Sequence, residues 1–136
     1  MIDLDIDIPD WALPLYDEEY TYCCLYGGRS SAKSYTVADF FIISTFMHKD
    51  TGFLCCRQVQ KSIEKSAHSL MVHRIKEHKL EEYFNITQRD ITNLRTNSQV
   101  HYLGLERNPE NVKSIPNLGY LWIEEADTIS SYSWEL

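Results

Sequence analysis

No apolar run in the chain approaches the roughly 18–20 residues that a membrane-spanning helix needs, so no span is expected. The opening stretch, MIDLDIDIPD, lacks a basic start and an apolar core, which argues against a secretory leader. Cysteine is scarce: 4 residues in two adjacent pairs, Cys23 with Cys24 and Cys55 with Cys56. Zinc-type sites space their ligands as C-x2-C, and this spacing is missing. Neighbours on a strand point to opposite faces, so an adjacent pair cannot clasp one ion. Buried, reduced thiols in the core of a cytosolic protein are therefore expected. There is no internal repeat, low-complexity stretch or linker. Positive charge is in deficit, with 13 Lys and Arg against 20 Asp and Glu, and a net charge of −7 by itself disfavours nucleic acid.

What is present is the composition of an ordinary globular domain, 136 residues with 43% hydrophobic and 24% charged. A chain of this size buries about two-thirds of its unfolded surface. The charge is uneven. Residues 1–20 hold seven acids and no Lys or Arg. Residues 57–79 hold Arg57, Lys61, Lys65, Arg74, Lys76 and Lys79 against Glu64 and Glu77. That second segment reads either as a solvated helix face or as a local basic surface.

Residues 1–19 look like an extended N-terminal arm, with Pro9 and Pro14 breaking any helix. Residues 20–26 form a β-prone run bounded by Gly27 and Gly28. A largely buried helix is expected from Lys33 to Phe46, where Val37, Phe40, Phe41 and Ser44 keep helical spacing. After a polar turn, residues 52–56 read as a second buried strand. Val59, Ile63, Ala67, Leu70, Met71 and Ile75 mark one face of a helix over 58–79. Two or three short strands fill 84–103, with a turn at Thr96 and Asn97. Asn108 and Pro109 suit the start of a helical turn, and residues 119–123 make a third buried strand running into Glu124 and Glu125. This order implies α/β with a parallel sheet.

The Gly-rich stretch carries chemistry. Gly27, Gly28, Arg29, Ser30, Ser31, Ala32, Lys33 and Ser34 match G-x-x-x-x-G-K-[ST] except that Ala32 replaces the second glycine. A strand before it and a helix after it are the setting this motif requires. The glycines let the backbone wrap closely around phosphate oxygens. Successive N–H groups and the helix N-terminus direct positive dipoles at the anion. Lys33 would reach the β- and γ-phosphates of ATP, and the Ser34 hydroxyl would ligate Mg2+. The alternative is a chance turn followed by an exposed lysine.

Tyr120, Leu121, Trp122 and Ile123 running into Glu124 and Glu125 give an apolar strand that ends in two acids, the Walker B pattern. Glu124 would hold Mg2+, and Glu125 would orient or deprotonate the attacking water. Glu124 is one methylene longer than the usual aspartate. An ordinary strand-to-surface transition has the same appearance. Arg29 would neutralise charge developing on the γ-phosphate, or else form a local salt bridge.

Taken together, Gly27-Gly28-Arg29 with Lys33-Ser34, Cys55-Cys56-Arg57-Gln58 with Ser62-Ile63, Lys113-Ser114-Ile115, and Trp122-Ile123-Glu124-Glu125-Ala126 resemble the ATPase portion of phage terminase large subunits. The tail from Ser130 to Glu135 is similar to the subgroup with Glu rather than Asp. The resemblance covers about residues 20–136. It implies a P-loop NTPase-type parallel sheet flanked by helices, incomplete at its C-terminal side, because later ATPase strands and a nuclease domain have no counterpart here. In that fold a later strand sits between the phosphate-loop strand and the Walker B strand. On this reading residues 20–136 form a partial ATPase domain, poorly stable alone because a parallel sheet needs its faces and neighbours covered.

The resemblance further implies a motor that hydrolyses ATP with Mg2+ to move double-stranded DNA into a procapsid, in the cytoplasm of an infected bacterium. A homo-oligomeric ring, the portal protein and the small terminase subunit would be its partners. Another P-loop enzyme, such as a small kinase or helicase fragment, is the second reading. An inactive truncated remnant is the third. Tyr16, Tyr20 and Tyr22 either stack on adenine or serve as packing.

Overall fold

The computed structural model describes residues 4–17, 19, 21–25, 33–57, 67–105 and 109–124. In chain order these contain α1 (Lys33–Met47), β1 (Gly52–Arg57), α2 (Ser69–Glu77), β2 (Phe84–Ile86), β3 (Asp90–Asn93), β4 (Gln99–Gly104) and β5 (Leu118–Ile123). Short 3-10 segments lie at Asp10–Tyr16, Glu81–Tyr83 and Pro109–Ser114.

The strands form one sheet in the order β2-β3-β4-β1-β5. β1 runs parallel to both β4 and β5, while β2 with β3 and β3 with β4 pair antiparallel. The expected parallel sheet is therefore a three-strand parallel core extended by an antiparallel hairpin. β1 is central, and Phe53, Leu54, Cys55 and Cys56 are each at most 1% exposed. A strand covered on both faces reads as a continuous apolar run rather than an alternation.

The two faces are covered unequally. Phe53, Cys55, Val100, Tyr102, Tyr120 and Trp122 pack with α1, α2 and residues from the N-terminal segment. Leu54, Cys56, Leu103, Leu118 and Ile123 face the opposite side, against Leu105, Val112 and Ile115. Burying each large apolar side chain of the first face contributes about 1.5–3 kcal/mol. Aromatic geometry organises that face. Phe53 stacks flat on Tyr120 at 4.9 Å, and Phe41 of α1 meets Phe53 edge-on at 5.3 Å.

Helix α1 begins where its sequence predicts and runs one residue beyond Phe46. It has buried residues on most of its circumference, from Thr36 through Phe41 to Thr45. The helix expected over 58–79 is seen as α2, preceded by a π-type turn at Ala67 and His68; residues 58–66 lie outside the described residues. Ala67, Met71 and Ile75 are its buried stripe, as their spacing predicts.

Asn93 ties the hairpin to α1. It is fully buried, its amide donates to Thr45 Oγ1 at 3.1 Å, and its side-chain oxygen accepts from the backbone N–H groups of Arg95 and Thr96. The predicted turn at Thr96 and Asn97 follows, with Asn97 at φ 60°, a conformation asparagine tolerates well.

Three expectations change. Residues 21–25 form no strand, and Cys23 and Cys24 are exposed rather than buried. A β-prone run gains its ladder only from a neighbouring strand, and none of these residues is paired in the sheet. Among the described residues β5 lies at the edge of the sheet, with intermediate and exposed residues rather than a fully buried run. The N-terminal segment is not extended throughout. Pro9 precedes a 3-10 turn that accommodates Pro14, Ala12 is fully buried, and Leu4, Ile6, Leu15 and Tyr16 pack on the first face.

Candidate functional site

The direction of α1 relative to the sheet decides which residues meet. Its C-terminal end lies at the start of the parallel strands, where Tyr120 Oη meets His48 Nε2 at 2.9 Å and Thr96 Oγ1 donates to the Thr45 carbonyl. Farther back along α1, Phe41 lies edge-on to Trp122 at 6.1 Å. The helix therefore runs antiparallel to β5. Lys33 lies about two turns before Phe41, and Glu124 follows directly after β5. The first turn of α1 and the carboxylate thus share the carboxyl end of the sheet and the same face.

Lys33 is half-buried and Ser34 exposed, as the first two residues of α1. Glu124 is anchored by its backbone N–H, which donates to the Cys56 carbonyl at 2.9 Å. Its side chain is mostly buried and forms an ion pair with Arg57, Nε to Oε2 3.4 Å. Arg57 ends β1, one step past the Cys56–Ile123 rung, so parallel pairing sets the two side chains on one face. The same carboxylate acts on Cys55. Burial chiefly, then Cys56 and Glu124, push the Cys55 thiol far above its usual range. Burial also raises the Tyr102 phenol on β4, with smaller contributions from Cys55 and Asp90. Cys55 and Tyr102 are therefore neutral within the sheet near neutral pH, beside the charged pair Arg57 and Glu124 at its rim.

A family model for the phage terminase large subunit matches residues 19–136. The chain belongs to the phage terminase large subunit family. No curated protein gave a significant match to the chain. The mixed α/β sheet flanked by helices is of the P-loop NTPase type, and membership makes the protein a component of a phage DNA-packaging machine.

Of the residues singled out from sequence in this terminase chain, Lys33, Ser34 and Glu124 come to one end of the sheet. Gly27, Gly28, Arg29, Ser30, Ser31, Ala32 and Glu125 lie outside the described residues, as do Lys61 and Lys65. Tyr16 is a packing residue, edge-on to Phe40 at 4.8 Å, with its hydroxyl pushed up to about 12 by burial and by Asp39. Tyr22 is 89% exposed, and Tyr20 lies outside the described residues.

The basic segment is also altered. Arg74 does not join a solvated face. It makes a two-pronged contact with Asp39, and Arg57 pairs with Glu124, which leaves Lys76 and Lys79 as exposed cations of α2 and its C-terminal turn. Sequence reasoning counted Arg57 with the basic segment 57–79 rather than with the strand that it ends. A charge directly after a four-residue buried run was the available signal.

Proposed function

We propose that this chain is the nucleotide-binding part of a terminase motor, taking ATP with Mg2+ at the carboxyl end of the sheet. The observation that supports this reading is the convergence of the first turn of α1, bearing Lys33 and Ser34, with the Glu124 carboxylate at one rim. Helix N-termini favour anions, and a lysine there adds a full positive charge. Lys33 would contact the terminal phosphates. Ser34 and Glu124 would hold the magnesium, whose role is to neutralise charge on the phosphates. Glu125 would orient water and Arg29 would face the γ-phosphate. Arg57 adds positive charge at the same rim and keeps the Glu124 carboxylate oriented.

In the full motor this hydrolysis would drive double-stranded DNA into a procapsid in the infected bacterium. A ring of subunits, the portal protein and the small terminase subunit would be partners there. Calorimetric titration of ATP with Mg2+ into the chain and into Lys33→Ala tests the nucleotide reading. Binding by the parent chain that weakens at least tenfold in Lys33→Ala is expected. A chain that melts cooperatively and ignores ATP would overturn it and favour an inactive remnant.

A further inference from the structure

The contact that sets α1 against α2 is polar and directional. Asp39, on α1, is 7% exposed. Arg74 of α2 grips it with two parallel bonds, Nε to Oδ1 and Nη2 to Oδ2, both 2.8 Å. His78, just after α2, places Nε2 3.0 Å from Oδ1 of the same carboxylate. On its outer side the guanidinium lies against the Tyr35 ring, 5.1 Å from the centroid, and Tyr35 is itself in the first turn of α1. Arg74 therefore touches α1 at two places one turn apart, next to Ser34 and at Asp39.

A mostly buried ion pair is a poor source of net stability, because desolvation offsets the attraction. A fork-to-fork arginine–carboxylate contact does impose narrow geometry. At its C-terminal end α1 is also tied by hydrogen bonds of Thr45 to Asn93 and Thr96; nearer its first turn, Val37, Ala38, Phe40 and Phe41 contribute apolar burial, which is non-directional. Of the contacts near the first turn of α1, Asp39 with Arg74 is the directional one, and it resists rotation or sliding of that end of the helix relative to α2. Lys33 and Ser34 occupy the first turn of the same rigid helix.

We propose that Asp39 and Arg74 are positioning residues that fix the rotation and axial setting of α1, and thereby the aim of Lys33 and Ser34 at bound nucleotide. The inference rests on the nucleotide-binding reading above. It makes α2 a lever: a displacement of α2 moves the phosphate-facing turn of α1 through the Asp39–Arg74 contact.

The test separates position from stability by measuring ATP affinity with Mg2+ and thermal unfolding on the same proteins. Asp39→Leu combined with Arg74→Met replaces the pair by apolar groups of similar bulk. It is expected to unfold within about 3 °C of the parent chain while binding ATP about tenfold more weakly. Arg74→Lys keeps the charge but lacks the fork, and a similar loss of affinity is expected with cooperative unfolding retained. Parent-like affinity in either variant, with cooperative unfolding, overturns the proposal. Should the double variant fail to fold, Arg74→Lys decides alone. Absence of ATP binding by the folded parent chain overturns the nucleotide reading itself, and the positioning role falls with it, a result distinct from a failure confined to these variants.

Discussion

Arg57, the last residue of β1, pairs with Glu124, which directly follows β5, one step past the Cys56–Ile123 rung, with Nε 3.4 Å from Oε2 and each side chain less than one-fifth exposed. Removing one member leaves the other charge at a mostly desolvated rim. Arg57→Met is expected to destabilise the fold by about 1–3 kcal/mol, measured by urea unfolding. Glu124→Gln keeps the shape and removes the carboxylate's charge. It is expected to cost less stability yet to abolish the strengthening of ATP binding by Mg2+. Retention of full Mg2+ dependence in that variant would remove Glu124 from the metal.

The cysteines divide by position. Cys23 and Cys24 are exposed, whereas Cys55 and Cys56 are buried in the central strand. Burial pushes the Cys56 thiol up to about 12 and the Cys55 thiol well up from its ordinary value, so neither forms the reactive thiolate near neutral pH. A thiol reagent at neutral pH should modify two cysteines promptly and the other two only on unfolding. Mapping the modified positions by mass spectrometry checks the assignment.

The same groups predict an alkaline limit. In the folded chain Cys56 and Tyr16 bind their protons up to about 12, against ordinary values of 9.0 and 10.0. As pH rises past the ordinary values, the unfolded chain loses these protons first. Stability that is fully present near neutral pH therefore declines through the window from 9.0 to about 12. A urea midpoint at about pH 10 that equals the one at about pH 7 would contradict this.

Two glycines should respond differently to alanine. A Cβ on Gly52 would lie 2.8 Å from the Pro116 carbonyl oxygen and 3.1 Å from Ile115 Cγ2. Backbone cannot yield there, and Gly52→Ala is expected to cost about 1–3 kcal/mol. Gly119 is the residue skipped where the β1–β5 register shifts, and its Cβ would meet only the Thr51 methyl closely, at 2.7 Å. Rotation of Thr51 relieves that contact, so Gly119→Ala should cost less than Gly52→Ala in thermal unfolding.

Asn93 offers a check on the polar core. Its amide and carbonyl serve Thr45, Arg95 and Thr96 at once. Asn93→Ala removes a buried bond to Thr45 and two part-buried bonds to the backbone of Arg95 and Thr96, and should cost about 1–3 kcal/mol. The isosteric Asn93→Asp should cost a similar amount at neutral pH, because a buried carboxylate cannot donate to Thr45.

Local patterning of the sequence determined α1, β1, the buried stripe Ala67–Met71–Ile75, the short strands after residue 84 and the strand before Glu124. Each of these is signalled by periodicity or by a continuous apolar run within a few turns of chain. The candidate site was legible to the extent that its residues form contiguous motifs, and so Lys33, Ser34 and Glu124 stood out. Tertiary structure decided the rest. The run at 21–25 has strand propensity but no neighbour in the sheet, so Cys23 and Cys24 are exposed. Arg57 and Arg74 look like members of a basic face, yet register across parallel strands gives one to Glu124, and helix packing gives the other to Asp39, 35 positions away. Such pairings depend on which elements lie side by side, and a pattern read along the chain holds no record of distance between separated segments.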